Sequence, residues 1–158
     1  AARASRWAMS RAAVTLTPAA PDNLAGLAIG RALNGHDAVA GQTIERAMRL
    51  NPSPPDWYLH IAGMSYLIAD EPARAAEAFG PLYGAGTFTG TRWWPGWLLA
   101  ASLAQTGRIK EAIAIVDAAA GRRPERSIAA VEQSLDGWAD RGSLESFLEA
   151  LRLAGVPR

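Results

Sequence analysis

The chain has 158 residues and a formal net charge of +1, with 49% hydrophobic and 20% charged residues. This length corresponds to about one domain, and the charge balance excludes an acidic tail and a strongly basic nucleic-acid-binding protein of the usual kind. The absence of cysteine excludes disulfides, thiolate metal sites and cysteine nucleophiles. The longest apolar run has 12 residues, Trp93 to Ala104, which is shorter than the ~18 residues that a membrane-spanning helix needs.

Helix signals follow one another along the whole chain. Residues 2–18 are predicted to form a helix that lacks a partner helix before it. Capping residues, glycines and prolines then predict further helices over 23–34, 38–50, 57–69, 72–80, 94–106, 109–120, 126–137 and 143–154. The expected caps include Asp22, Asp37, Asp56 and Ser143, and the pair Gly80-Pro81 is expected to end the fourth of these helices. No stretch alternates with period two for long enough to predict a strand, so the predicted fold class is all-α.

A set of positions recurs along the chain at a spacing close to 34 residues. Gly63, Tyr66, Ala75 and Phe79 are separated by 3, 9 and 4 residues. The same order of small residue, large residue, alanine and large residue is found 35 residues earlier and 37 residues later, with one exception at Arg31. The corresponding residues are Ala28, Arg31, Ala40 and Ile44 in the earlier copy and Ala100, Leu103, Ala112 and Val116 in the later copy.

This constellation resembles the tetratricopeptide repeat, a helix–turn–helix unit of about 34 residues. The resemblance implies an α-solenoid of about three helix pairs, in which small residues lie where helices cross and large residues fill the gaps. All of residues 1–158 are then expected to form one domain. Its predicted parts are a partial repeat at 2–18, repeats at 21–52, 56–89 and 93–124, and C-terminal capping helices at 126–158.

Other segments resemble the C-terminal tetratricopeptide regions of bacterial signalling proteins. Those proteins carry a class III adenylate or guanylate cyclase domain, or a winged-helix DNA-binding domain, upstream. The similar segments are the junction Leu50–Tyr58, the ending Phe147–Pro157 and residues 99–108. The resemblance implies the C-terminal module of a larger cytoplasmic regulator, and since the chain begins with Ala1 we expect a fragment or a processed chain. The cyclase chemistry belongs to a separate α/β domain, so no catalytic residues are carried over.

The chain has six tryptophans, and four of them lie at the start of predicted first helices of the repeats: Trp57, Trp93, Trp94 and Trp97. In tetratricopeptide stacks these helices line a concave groove. The resemblance therefore implies a partner-binding groove formed by Trp57, His60, Met64, Leu67, Trp94, Trp97 and Gln105, together with Ile68, Ala101 and Ala104. An apolar and aromatic groove is typical of surfaces that bind a peptide or a helix. The alternative is that these side chains pack on a neighbouring or terminal helix, such as the one predicted over 143–154.

The sequence therefore predicts a non-catalytic module for protein–protein interaction or oligomerisation. Its expected partner is a protein or peptide, or a second copy bound through the helix at 2–18. The alternative function is a small-ligand sensor that regulates an attached catalytic or DNA-binding domain. No cofactor, no metal and no catalytic residue is expected, and neither nucleic acid nor a membrane is an expected partner.

Several local patterns resemble functional motifs but favour structural interpretations. His36-Asp37 is typical of a helix cap with an exposed histidine, and His60 has no second ligand at metal spacing. The stretch Gly84–Gly90 lacks the strand and the Gly-Lys-Ser/Thr of a phosphate loop, so it is interpreted as a flexible loop between repeats. The cluster Arg122–Arg126 is interpreted as a solvated surface, with an acidic partner or a phosphate as the alternative.

Overall fold

The computed structural model describes residues 20–35, 37–84, 94–120, 127–135, 138 and 140–157. Within these ranges every regular element is helical, which confirms the predicted all-α class for this part of the chain. The predicted partial repeat at 2–18 lies outside the described residues. The helices are α1 (Pro21–Leu33), α2 (Asp37–Leu50), α3 (Asp56–Ile68), α4 (Pro72–Gly84), α5 (Trp94–Gln105), α6 (Ile109–Ala120), α7 (Ile128–Ser134) and α8 (Arg141–Leu153).

Successive helices pack as pairs. α1 with α2, α3 with α4, and α5 with α6 form the most extensive contacts between described helices. Their connections have only three residues each, and connections this short place neighbouring helices antiparallel. The pairs then pack on one another, α2 against α3 and α4 against α5, while α1 also contacts α3. The first six helices are therefore three helical hairpins in contact.

The three hairpins turn at equivalent residues. Gly35, Asp70 and Gly107 have positive φ angles of 77°, 58° and 80°. Each lies two residues before the second helix of its hairpin begins. A left-handed residue just past a helix end lets the chain reverse while it still satisfies the last carbonyls of that helix. These turning residues are 35 and 37 residues apart, the same shifts that the sequence pattern contains.

The second and third turns also share their hydrogen bonds. The backbone N–H of Glu71 donates to the carbonyl oxygen of Tyr66 at 2.8 Å, and that of Arg108 donates to the carbonyl oxygen of Leu103 at 2.9 Å. Both bonds span six residues, as in a Schellman helix ending. The two hairpins are therefore built on the same local backbone plan.

The core lies where the two helices of each hairpin cross. A Cβ atom added at Gly63 would lie 2.5 Å from ring atoms of Phe79, so only glycine fits there. The predicted burial of Gly63 and of Ala100 is confirmed. The other recurring positions are also buried, apart from the half-buried Arg31, whose Nη1 donates to Thr43 Oγ1 at 2.6 Å. They are Ala28, Ala40, Ile44, Tyr66, Ala75, Phe79, Leu103, Ala112 and Val116.

One helix end differs markedly from the sequence prediction. α4 continues through Pro81 to Gly84 instead of ending at Gly80-Pro81. Proline removes one backbone hydrogen bond and its ring disfavours helical geometry in the residue before it. Here Pro81 is exposed, and Gly80 before it has no Cβ for the ring to meet. The local pattern predicted a break that this glycine makes tolerable.

The caps at other helix starts also differ from those predicted. α1 begins at Pro21, one residue before Asp22, because proline is well suited to a first turn. α8 is capped by Asp140, whose Oδ1 accepts from the backbone N–H of Gly142 at 3.0 Å, and Ser143 lies inside the first turn instead. α7 is shorter than the predicted 126–137 and covers Ile128–Ser134.

Polar side-chain contacts also join different hairpins. The buried Tyr58 donates its hydroxyl hydrogen to Asp22 Oδ1 at 2.5 Å and so ties α3 to α1. Burial, and then this hydrogen bond, raise the pKa of Tyr58 to about 12. Arg74 of α4 stacks over the ring of Tyr66 at 3.9 Å and pairs with Glu45 of α2. The pairing with Glu45 raises the pKa of the Arg74 guanidinium.

Candidate partner-binding surface

The helix α8 lies across the first helices of two hairpins. It packs extensively against α5 and also contacts α3. We call the surface of α3 and α5 that α8 meets the α3–α5 face. Along α8 the buried residues recur at helical spacing and form one apolar side: Leu144, Phe147, Leu148, Ala150 and Leu151. A helix with one apolar side is the usual occupant of a hydrophobic groove.

The predicted groove residues of α5 are enclosed. All residues from Trp97 to Ala104 are buried, and the Trp97 side chain is only 3% exposed. A helix that is buried all round belongs to a core. Gln105 is half-buried and donates from Nε2 to Ser146 Oγ of α8 at 2.9 Å. The backbone of Trp94 begins α5, and its side chain lies outside the described part of the structure.

The predicted groove residues of α3 are graded from exposed to buried. Trp57 is 42% exposed, with its ring edge-on to that of Tyr58 at 4.3 Å. His60 is half-buried with its ring 6.0 Å from that of Phe79, Met64 is half-buried, and Leu67 is buried. The structure therefore separates the two described tryptophans that the sequence assigned to one groove. Trp97 packs in the core, and Trp57 remains at the surface.

Aromatic and polar contacts fix the start of α8. Trp138 stacks on Phe147 with ring centroids 5.4 Å apart, and its Nε1 donates to Ser143 Oγ at 2.6 Å. Ser143 in turn donates to the carbonyl oxygen of Asp140 at 3.2 Å. Trp138, two residues before the capping residue Asp140, is therefore packed and hydrogen-bonded onto the first turns of α8.

The end of α8 is joined to the start of α7. The backbone N–H of Ile128 donates to the carbonyl oxygen of Pro157 at 2.7 Å, and Val156 beside it is buried. We call the described residues 127–157 the C-terminal hairpin. Among the described helices, the one that α7 contacts more than marginally is α8. The C-terminal hairpin is therefore closed on itself, and α8 is the part of it that meets the other hairpins.

A cleft remains beside the start of α8. Its volume is about 560 Å³, within the range of roughly 300–1,000 Å³ that is usual for small-ligand sites. Gln105 lines it, and its buried Oε1 has no hydrogen-bond partner among the described residues. The remaining lining combines apolar side chains, hydroxyls and carboxylates: Leu67, Ile68, Ala69, Asp70, Glu71, Asp140, Gly142, Ser143 and Ser146.

The charge of the cleft is negative. Asp70, Glu71 and Asp140 contribute carboxylates, of which Glu71 is paired with Arg74 at 2.6 Å. Such a cleft favours positively charged or hydrogen-bond-donating groups. Within the described ranges, no group of three or more histidines or carboxylates is placed to hold a metal ion. No helix of the described residues is long and apolar enough to cross a membrane.

Sequence reasoning named Leu67, Ile68 and Gln105 as groove residues and missed the other residues that line this cleft. They come from two helix ends and a helix start that are far apart in the chain, and no spacing rule brings Asp70 near Asp140. The one sequence signal for the cleft is the terminal helix predicted over 143–154, which is a possible cover for the tryptophans. His36, residues 85–90 of the glycine-rich stretch and Arg122–Arg126 lie outside the described residues.

Comparison of the chain with protein-family models, curated proteins and solved structures finds no match. What the described residues define is a class of architecture: an all-α protein of packed helical hairpins with a terminal helix across two first helices.

Proposed function

We propose that this chain is a tetratricopeptide-type helical-repeat module that binds a peptide or helix of a partner protein and performs no catalysis. The observation that carries the proposal is the position of α8 on the α3–α5 face. A face that holds an amphipathic helix within the chain has the shape and polarity needed to hold one from a partner.

The equivalent turns of the three hairpins support the repeat assignment. Gly35, Asp70 and Gly107 lie at the same place in each hairpin, and the small residues at each helix crossing are buried. A single hairpin of this size cannot bury its apolar side alone, so such units stack and expose a long surface suited to binding.

The open part of the surface lies on α3. Among the aromatic groove residues whose side chains the structure describes, Trp57 is the most exposed, and the half-buried His60 and Met64 follow it on the same helix. Tryptophan is enriched among residues that dominate binding energy, because it buries a large area at low entropic cost. Since Trp97 is enclosed in the core, we assign the anchoring role to Trp57.

We further propose that the module is the C-terminal part of a bacterial, cytoplasmic signalling protein. The similarity of Leu50–Tyr58 and Phe147–Pro157 to the corresponding regions of cyclases and winged-helix regulators supports this context. Its role there would be to dock a partner or a second copy, and thereby to control the attached domain.

A peptide-display selection on the immobilised full chain tests the binding proposal. We expect selected peptides to be amphipathic and helical, and Trp57→Ala to weaken their binding by about 30-fold, equivalent to about 2 kcal/mol. Ile113→Ala is the matched control, because Ile113 is also an exposed apolar residue but lies on α6. Selected peptides that bind Trp57→Ala as tightly as the unaltered chain would refute the assignment of Trp57 as anchor.

The cleft beside α8 favours a second candidate function, a small-ligand sensor. Its volume fits a metabolite, and its carboxylates favour a cationic one. A thermal-shift panel of arginine, putrescine and apolar metabolites tests this. A rise in Tm that is lost in Asp70→Asn is expected of a sensor, whereas an unchanged Tm across the panel argues for peptide binding alone.

A further inference from the structure

We infer that α8 is an exchangeable occupant of the α3–α5 face, and that the partner is an amphipathic helix with the apolar pattern of α8. The inference rests on the proposed function and names the class of partner. In the closed form that the structure shows, α8 occupies the face itself, so a partner helix must compete with it.

The chemistry of α8 defines the partner. Leu144, Phe147, Leu148 and Leu151 are buried, and their spacing matches the i, i+3, i+4 and i+7 anchors of a helix seated in a groove. The opposite side is exposed and largely charged: Arg141, Glu145, Glu149 and Arg152. A partner helix therefore needs four large apolar residues at these intervals and a polar outer side.

The contacts of α8 with the hairpins favour exchange. Apolar contact is not directional, so a different helix of similar shape can replace it. The side-chain hydrogen bond from Gln105 to Ser146 is exposed, and water can replace it at low cost. By contrast, the bonds from Ile128 to Pro157 and from Trp138 to Ser143 stay within the C-terminal hairpin. Release of α8 therefore leaves those bonds intact.

The fit of α8 on the face is incomplete. The cleft of about 560 Å³ remains between the start of α8 and the turn of the α3–α4 hairpin. The carbonyl Oε1 of Gln105, a residue that lines the cleft, is buried without a partner among the described residues. An occupant with larger side chains at this end would fill the cleft and bury more surface than α8 does.

An internal occupant sets a threshold for binding. Only molecules in which the face is open can bind a partner. The apparent affinity for the partner is therefore the intrinsic affinity multiplied by the fraction of open molecules. A change that loosens α8 therefore raises partner affinity without altering the face, which gives the attached protein a means of regulation.

A competition experiment on the full chain tests the inference. The probe is a fluorescein-labelled peptide of residues 138–157, and binding is followed by fluorescence anisotropy. Leu148→Ala removes an apolar contact from the buried side of α8, whereas Leu153→Ala is the same change at a position of α8 that is 53% exposed. We expect Leu148→Ala to bind the probe at least about tenfold more tightly than the unaltered chain, and Leu153→Ala to match the unaltered chain. The probe carrying Phe147→Asp should bind neither.

A reversible lock provides a second test that does not depend on the folding of Leu148→Ala. The chain has no cysteine, so Gln105→Cys with Ser146→Cys introduces the only two thiols. A short thiol-to-thiol crosslinker that is cleaved by reductant should then hold α8 on α5. We expect the locked protein to lose probe binding and the cleaved protein to regain it.

Two results would overturn the inference: equal probe binding by the locked and cleaved proteins, or equal binding by Leu148→Ala and Leu153→Ala. Either result leaves the proposed function standing if display-selected peptides still depend on Trp57. If display-selected peptides bind independently of Trp57 but the two tests of α8 give the expected results, Trp57 is not the anchor and the exchange of α8 still stands.

Discussion

The hairpins α3–α4 and α5–α6 carry the same recurring pattern of small and large residues. They differ in the size of the two side chains at the positions where their helices cross. In the first, Gly63 faces Phe79, and no Cβ can be accommodated at the glycine. In the second, the equivalent residues are Ala100 and Val116, both buried. The glycine is paired with a large aromatic ring in one hairpin, and the larger alanine is paired with a smaller valine in the other. Close packing, and not residue identity, is what the two hairpins share.

Their surface ion pairs show a similar exchange. Glu71 pairs with Arg74 in one hairpin and Arg108 pairs with Glu111 in the other, at equivalent positions and with the charges reversed. The pairing with Arg108 lowers the pKa of Glu111. Exposed pairs at this spacing contribute little to stability, so reversing the order of the two charges has a small energetic consequence. The ion pair therefore lies at the same position in both hairpins, and the order of its acidic and basic residues is reversed.

The two hairpins differ most in what covers their first helices. Residues 96–104 of α5 are all buried, since α4, α6 and α8 pack on this helix, whereas α3 keeps Trp57 at its surface. The same type of residue therefore supports stability in one hairpin and is available for binding in the other.

Substitution of the two tryptophans sharpens this contrast and gives the largest expected effect. Trp97→Ala should lower the free energy of unfolding by about 4 kcal/mol, since it empties a core position, whereas Trp57→Ala should cost about 1 kcal/mol or less. Urea denaturation measures both. Similar losses in the two variants would mean that α8 does not enclose α5 in solution.

Gly63→Ala tests the division of volume at the helix crossing. The added methyl group meets the ring of Phe79, so the variant should lose about 2 kcal/mol of stability through overpacking. Gly41→Ala is the control, because a Cβ there meets Tyr66 at an ordinary 3.4 Å and alanine favours the helix. Thermal melts should place the two variants on opposite sides of the unaltered chain, and a stable Gly63→Ala would contradict the crossing.

Exchanging the residue types at the second and third turns should change the free energy of unfolding by a smaller amount. Asp70 has a positive φ of 58° that glycine adopts without strain. Asp70→Gly should therefore stabilise the chain by about 1 kcal/mol, and Gly107→Asp should destabilise it by a similar amount. Chemical denaturation of both single variants checks the sign. If Asp70→Gly does not stabilise the chain, or if Gly107→Asp does not destabilise it, the two turns are not equivalent.

The smallest expected effect is confined to alkaline pH. The folded-state pKa of Tyr58 is about 12, above its ordinary value of 10.0, because burial and then the bond to Asp22 disfavour the phenolate. Its contribution is therefore complete below a pH of about 10 and is lost as the pH rises from about 10 to about 12. In this window the Tm of the unaltered chain should fall more steeply than that of Tyr58→Phe. Parallel pH profiles would exclude a buried phenol at this position.

The sequence predicted the helices well because their ends are set by local chemistry. Turn residues such as Gly35 and Gly107 determine where helices stop, and the recurring small residues indicate where they cross. The passage of α4 through Pro81 was not predicted, because it depends on the exposure of that proline as well as on the glycine before it.

The candidate site was harder to predict because it is formed by contacts between distant segments. The sequence pattern gave no means of deciding whether Trp57 and Trp97 faced a groove or packed on a neighbouring helix. That decision depends on α8, whose docking is set by shape and buried area and not by any spacing in the sequence. The cleft that Asp140 and Asp70 share follows from the same docking.

The placement of the turning residues has a consequence for engineering this chain. In all three hairpins the second helix begins two residues after the turning residue: α2 after Gly35, α4 after Asp70 and α6 after Gly107. Differences in length are therefore absorbed in the connections between hairpins, such as Asn51–Pro55. A reporter tag or an extra loop inserted there should be tolerated, whereas one inserted beside a turning residue should not.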